Sequence, residues 1–141
     1  MPIYRLPEEH IFPDPNDAEP YGLLAVGGDL NPNRIILAYQ SGLFPWFSED
    51  EPIQWWSPDP RFVLFPEKLK ISKSMRPIFR KQHFEVSFDK DFAAVIRNCK
   101  KMPREGQDGT WITSEMEAAY TELHRMGFAH SVEVWQDGEL V

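Results

Sequence analysis

Trp46, Phe47, Trp55, Trp56 and Trp111 are the residues of this chain best equipped for chemistry, and that chemistry is recognition. Four of the five fall within eleven residues, in a stretch broken by Pro45, Pro52, Pro58 and Pro60. Flat π-faces stack nucleobases or hold apolar side chains, and each base stack is worth about 1–3 kcal/mol. Any one of them taken alone is more often core packing, because Trp and Phe dominate small cores. Their proline-rich setting beside a basic island favours binding.

That island is concealed by a formal net charge of −7 over 141 residues. Residues 1–67 carry three basic and eleven acidic side chains, and residues 105–141 carry one against eight. Residues 68–104 reverse the sign, with eleven basic against three acidic. Such asymmetry suits a protein that holds a polyanion at one place, although a solvated surface paired with its acidic flanks would look the same.

Catalytic signatures are absent. No nucleophile elbow, P-loop or paired-glycine dinucleotide fingerprint occurs. His130 begins a strand with no nucleophile beside it and reads as structural. Asp59, between two prolines, reads as a turn residue, and Glu133 is expected to alternate outward into solvent. The four histidines and the single Cys99 do not fall at metal-ligand spacing, so neither a zinc site nor any cofactor is expected. One cysteine excludes an internal disulfide and suits a reducing compartment. With no signal peptide and no apolar run of about 18–20 residues, the expected location is the cytoplasm, away from membranes.

The elements that must position these residues are short. Residues 1–31, rich in Pro, Asp, Glu and Asn, read as irregular chain with a sharp turn at Gly27-Gly28-Asp29. Asn31-Pro32 is a cap and first helical residue, with Gly42 closing the helix. Residues 43–56 read as a rigid aromatic loop and Arg61–Phe65 as a short strand. Ser74 is expected to cap a helix displaying Arg76, Arg80 and Lys81, with Pro77 tolerated in its first turn. Phe84, Val86 and Phe88 alternate as a strand. Asp89 is expected to cap a helix with Phe92, Val95, Ile96 and Cys99 on one face and basic residues on the other. A loop from Gly106 to Thr110 leads to Trp111. Ser114 and Glu117 match a capping box for a helix burying Met116, Ala119, Tyr120 and Leu123 and stopping at Gly127. Ser131–Trp135 is a strand, and Asp137-Gly138 a hairpin turn. Only three residues of the returning strand follow, from which we expect a sequence cut short of its complete fold.

Several long motifs, in order and at matching spacing, resemble those of the leucyl/phenylalanyl-tRNA–protein transferases. They are Gly22-Leu-Leu-Ala-Val-Gly-Gly-Asp-Leu30, Tyr39-Gln-Ser-Gly-Leu-Phe-Pro-Trp-Phe-Ser48, Trp55-Trp-Ser-Pro-Asp-Pro-Arg61, Gly109-Thr-Trp-Ile-Thr113 and His130-Ser-Val-Glu-Val-Trp135. The resemblance implies an enzyme that moves leucine or phenylalanine, with some methionine, from aminoacyl-tRNA to proteins beginning with Arg or Lys, marking them for degradation. It implies an α+β fold, with a small N-terminal α/β domain over residues 1–61 and an incomplete GNAT-like acyltransferase domain over 62–141, acting as a monomer. Trp46 and Trp111 match residues shaping the site for the aminoacyl-adenosine end, and Tyr39 and Tyr120 fall near it. Lys73, Arg76, Arg80 and Lys81 match a tRNA-contacting cluster, in which Pro77 stands where relatives can carry a basic residue. The family's catalytic residues are unmatched here and are expected beyond Val141, so the chain alone is expected to be inactive. Two other classes fit parts of the sequence. A non-enzymatic RNA- or peptide-binding module would use the same aromatic and basic residues. An acetyl-CoA-dependent enzyme would need a glycine-rich pyrophosphate loop, which would fall downstream of Val141.

Overall fold

The computed structural model describes residues 3–102 and 109–141. Arg104 of the basic stretch, and residues 106–108 of the loop expected before Trp111, lie outside the described residues. The fold is α+β, with two sheets and four helices among those residues. None of these helices is long and apolar enough to cross a membrane.

The first sheet has the order β1-β2-β4-β3, formed by β1 (Tyr4–Leu6), β2 (Leu23–Gly27), β3 (Phe44–Pro45) and β4 (Gln54–Trp56). β2 pairs parallel with β1 and antiparallel with β4. Two expectations are corrected here. The stretch before residue 31 is not wholly irregular, because Leu23, Leu24 and Ala25 form a buried central strand whose apolar run lacks alternation. Residues 43–56 are likewise not all loop, since their ends pair as a small antiparallel ribbon.

Helix α1 (Pro32–Gln40) starts as expected: Asn31 Oδ1 accepts from Asn33 N at 3.0 Å, and Pro32 opens the first turn. Its buried face, Ile35 and Ala38, packs with Leu24, Leu43 and Trp55, all fully buried. The Trp55 indole N–H donates to the Gly27 carbonyl at 2.9 Å, which lets its polar end be buried without penalty. Arg34, on the same helix, is also fully buried. Its Nη2 donates to the carbonyls of Pro7 (3.0 Å) and Glu8 (2.8 Å) and to Asp29 Oδ2 (3.2 Å). Nε and Nη1 have no partner among the described residues. Gly28, at φ +74°, lies against this guanidinium, and a Cβ there would stand 3.2 Å from Arg34 Cζ.

Residues 61–71 carry no strand. The expected strand at Arg61–Phe65 is exposed irregular chain, with Phe62 fully accessible. Its apolar residues run together rather than alternate, and Pro60 and Pro66 deny ladder donors at both ends. Helix α2 (Met75–Lys81) begins after Ser74, yet Ser72 supplies the capping oxygen, its Oγ accepting from Met75 N at 3.3 Å.

The second sheet, β5-β6-β7, is antiparallel: β5 (Glu85–Phe88), β6 (Val132–Gln136) and β7 (Glu139–Leu140). Asp137 and Gly138, both at positive φ, make the expected hairpin turn. Helix α3 (Phe92–Lys101) is capped by Asp91, not Asp89: Asp91 Oδ1 accepts from Ala94 N at 3.0 Å. Helix α4 (Ser114–Arg125) is capped by Thr113, whose Oγ1 accepts from Met116 N at 3.1 Å. The expected capping pair Ser114 and Glu117 instead takes Lys100 Nζ from α3, at 3.0 and 3.1 Å. Ala119 and Leu123 of α4 join the core of the first sheet.

Glu133 corrects a further expectation, being 1% exposed rather than solvated. Its carboxylate accepts from the Ser131 and Ser87 hydroxyls, each at 2.5 Å, and from Asp91 N at 3.2 Å. The two serine hydrogen bonds, followed by that backbone donor, outweigh burial and pull its pKa down to about 2.

Two stability measurements follow from these contacts. In urea unfolding, Gly28→Ala should cost about 1–2 kcal/mol, since it forces a left-handed alanine against the guanidinium. Arg34→Met should cost about 2–4 kcal/mol by stranding buried carbonyl acceptors, and unchanged midpoints would refute both. A carboxylate with a depressed folded pKa stabilises above its unfolded value and loses that contribution as pH falls through the folded one. The chain should therefore weaken as pH drops from about 4.5 towards about 2. Glu133→Gln should be less stable at pH 7 and show a shallower acid slope; equal slopes would remove Glu133 from the account.

Candidate functional site

Four of the sequence-predicted residues meet around one cavity. Tyr39 stands in the last turn of α1, which ends at Gln40 with Ser41 as its C-cap. Gly42, at φ +77°, then redirects the chain into β3 and Trp46. Arg61 fastens that bend by donating to the Gly42 carbonyl at 2.7 Å and lying over the Phe44 ring, 5.4 Å from its centroid. Trp46 is 48% exposed. Trp56 braces it from β4, packing edge-on at 5.5 Å and donating its indole N–H to the Trp46 carbonyl at 2.7 Å.

The opposite wall comes from the chain entering α4. Thr110 Oγ1 accepts from Ile112 N at 3.1 Å, and the buried Ile112 and Thr113 anchor the segment that carries Trp111. Trp111 meets Tyr120 of α4 edge-on, with centroids 6.4 Å apart and planes at 81°. The Tyr39 and Tyr120 hydroxyls lie 2.6 Å apart. Tyr39, Phe44, Pro45, Trp46, Trp111 and Tyr120 together enclose about 300 Å³.

Electrostatically this cavity is neutral. Burial, then the neighbouring Tyr39, pushes the Tyr120 phenol far above its ordinary value, so it stays protonated and serves as a hydrogen-bonding group rather than a base. Aromatic faces with one polar edge can hold a planar ring or an apolar side chain and orient it.

The five aromatics singled out in the sequence therefore divide. Trp46 and Trp111 face the cavity, and Trp56 supports Trp46. Trp55, fully buried, and Phe47, 7% exposed, are core residues and not binding faces. Lys73, Arg76, Arg80 and Lys81 gather on and just before α2, all exposed, and none pairs with an acidic side chain among the described residues. None of them lines the aromatic cavity.

The sequence pattern gives Asp89 only a capping role, and the structure gives it another. It sits at φ +55°, accepts from Ser131 N at 2.9 Å and holds His130 Nδ1 at 2.8 Å. The His130 hydrogen bond, with that backbone donor, lowers the Asp89 carboxyl, and Asp89 in turn raises His130. His124 Nδ1, bonded to the Ala129 carbonyl at 2.8 Å, lies 3.8 Å from the other Asp89 oxygen. Nothing in the local pattern marks Asp89 for this, because its partners stand some forty residues away.

Comparison with known proteins places the chain in a family. Residues 63–141 match the family model described as leucyl/phenylalanyl-tRNA protein transferase, and residues 28–59 match that of its N-terminal domain. A protein named leucyl/phenylalanyl-tRNA–protein transferase from Syntrophobacter fumaroxidans is 58% identical over 141 residues, all of this chain and 60% of that protein. One so named from Flavobacterium johnsoniae is 57% identical over 139 residues, 99% of this chain and 66% of its own length. Another, from Pseudomonas fluorescens, is 61% identical over 135 residues, 96% of this chain and 57% of its own. The chain thus spans about 60% of the length of the curated relatives it matches. With a family match over more than half of its residues, the chain belongs to the leucyl/phenylalanyl-tRNA protein transferase family.

Proposed function

We propose that this protein transfers leucine or phenylalanine from aminoacyl-tRNA to the N-terminal Arg or Lys of other proteins, marking them for degradation. The aromatic cavity holds the aminoacyl-adenosine end. The observation that carries this reading is the convergence of Tyr39, Trp46, Trp111 and Tyr120, from stretches some seventy residues apart, on one neutral cavity. Trp46 and Trp111 supply faces for the adenine. The Tyr39–Tyr120 pair supplies hydroxyls for the ribose or the ester. Residues 62–141 belong to a GNAT-like acyltransferase domain and residues 1–61 to an N-terminal domain.

The division of labour is electrostatic. Exposed cations on and before α2 attract phosphates without reading sequence, while the neutral cavity fixes the 3′ end. Selection between leucine, phenylalanine and methionine falls to an apolar pocket, which discriminates by only about 1–3 kcal/mol per methylene. Transfer also requires the acceptor amine to lose a proton and the ribose oxygen to gain one. We assign neither role to a residue of this chain. A non-enzymatic RNA-binding module would need the same aromatic and basic residues, but nothing favours it over the activity for which the relatives are named.

Binding of Phe-tRNA at two salt concentrations tests the reading. Trp46→Ala with Trp111→Ala should weaken binding at both salts and leave the slope of log K against log[salt] unchanged. Replacing Lys73, Arg76, Arg80 and Lys81 by Ala should flatten that slope by about 3, at roughly 0.7–0.9 for each phosphate no longer neutralised. No binding by a demonstrably folded chain would overturn the assignment of recognition to these residues.

A further inference from the structure

Tyr39 and Tyr120 also line a second, larger cavity of about 440 Å³, set where α1 and α4 meet the start of β6. Its chemistry differs from that of the first. Phe128 and Tyr39 present rings that are 61% and 53% accessible. The exposed Gln40 brings an amide, one donor and one acceptor side by side, which is the complement of a base edge. His130 stands in the same lining with its ring orientation fixed by Asp89 at 2.8 Å. Among the described residues no carboxylate lines the cavity, so it offers little to a cationic peptide N-terminus. A stackable ring, an amide and an oriented imidazole that can donate to an oxygen are what a nucleotide of single-stranded RNA uses.

We propose that this cavity binds the nucleotide preceding the terminal adenosine of the tRNA 3′ end, a cytidine. Its base stacks on Phe128, its Watson–Crick edge meets Gln40, and its phosphate or ribose oxygen meets His130. The inference rests on the aminoacyl-adenosine reading of the first cavity. The tyrosine pair belongs to both linings, so two consecutive nucleotides of one strand can occupy them side by side. Asp89 balances the charge of His130, so the second site works through stacking and hydrogen bonds rather than through net charge.

The test compares two amide-linked, non-hydrolysable ligands by calorimetry: phenylalanyl-3′-amino-3′-deoxyadenosine and the same compound extended by a 5′-linked cytidylate. The extension should tighten binding by about 5- to 150-fold, the range of one base stack of about 1–3 kcal/mol. Phe128→Ala should abolish most of that gain and Gln40→Ala part of it, with the shorter ligand bound as before. Both side chains are exposed, and unchanged thermal unfolding would show that neither substitution acts through the fold. Equal affinity for the two ligands, or a gain that survives both substitutions, would overturn the second site while leaving the first intact. Failure of either ligand to bind would overturn the aminoacyl-adenosine reading and the second site with it.

Discussion

The site exists because one hydrophobic core is shared between segments far apart in the sequence. Ala119 and Leu123 of α4 lie in the same buried cluster as Leu24, Ile35, Ala38, Leu43 and Trp55. α1 and α4 can present Tyr39 and Tyr120 to each other at 2.6 Å only while that packing holds. Buried apolar area stabilises at about 25 cal/mol per Å² and is indifferent to direction, so it brings the helices together without setting their rotation. Directional contacts at the edges fix the rotation of α4: Lys100 of α3 against Ser114 and Glu117, and the tyrosine pair against α1.

Arg34 and Glu133 play matching parts on the two sheets. Each is a charged side chain taken almost wholly out of water, which is costly unless hydrogen bonds replace hydration. Glu133 is well supplied, with two hydroxyls and a backbone N–H, and it needs no cation. Arg34 is supplied only on one nitrogen, and its Nε and Nη1 remain unmatched among the described residues. A methionine would fill that space without orphaned donors, but it could not hold the carbonyls of Pro7 and Glu8 to α1. What the guanidinium provides is a fixed exit from the N-terminal strand, and Gly28 is small because the guanidinium crowds the place of its Cβ.

Local signals in the sequence locate elements well and long-range pairing poorly. Asn31-Pro32, Gly42, Asp137-Gly138 and the apolar spacing of α3 each act through neighbours within a few residues, and each appears where the pattern implies. The caps of α3 and α4 are displaced by one or two residues, because several polar side chains compete there and tertiary contacts choose among them. Asp89 is drawn to His130 and Ser114 to Lys100. Glu133 looks solvated in a strand that alternates, yet its face is covered by the start of α3, which no period-2 pattern reveals. The aromatic residues show the same limit. Composition marks the cluster, but only the fold separates Trp55, sealed in the core, from Trp46 nine residues earlier and half exposed.

On the proposed reading the cavity holds the 3′ end and does not react with it, and its neutral lining suits that role. Cations crowded beside an ester would bind phosphate in competing registers, since point charges attract any backbone oxygen alike. Keeping Lys73, Arg76, Arg80 and Lys81 out of the lining lets shape and stacking decide which atoms enter. The tyrosine pair suits that role. Its two hydroxyls share one hydrogen bond, which leaves one free donor and spare acceptor capacity, and the Tyr120 phenol stays protonated and adds no charge. On the proposed reading, a carboxylate in place of either tyrosine would repel the phosphates of the 3′ end. An ammonium would recruit them to the wrong place.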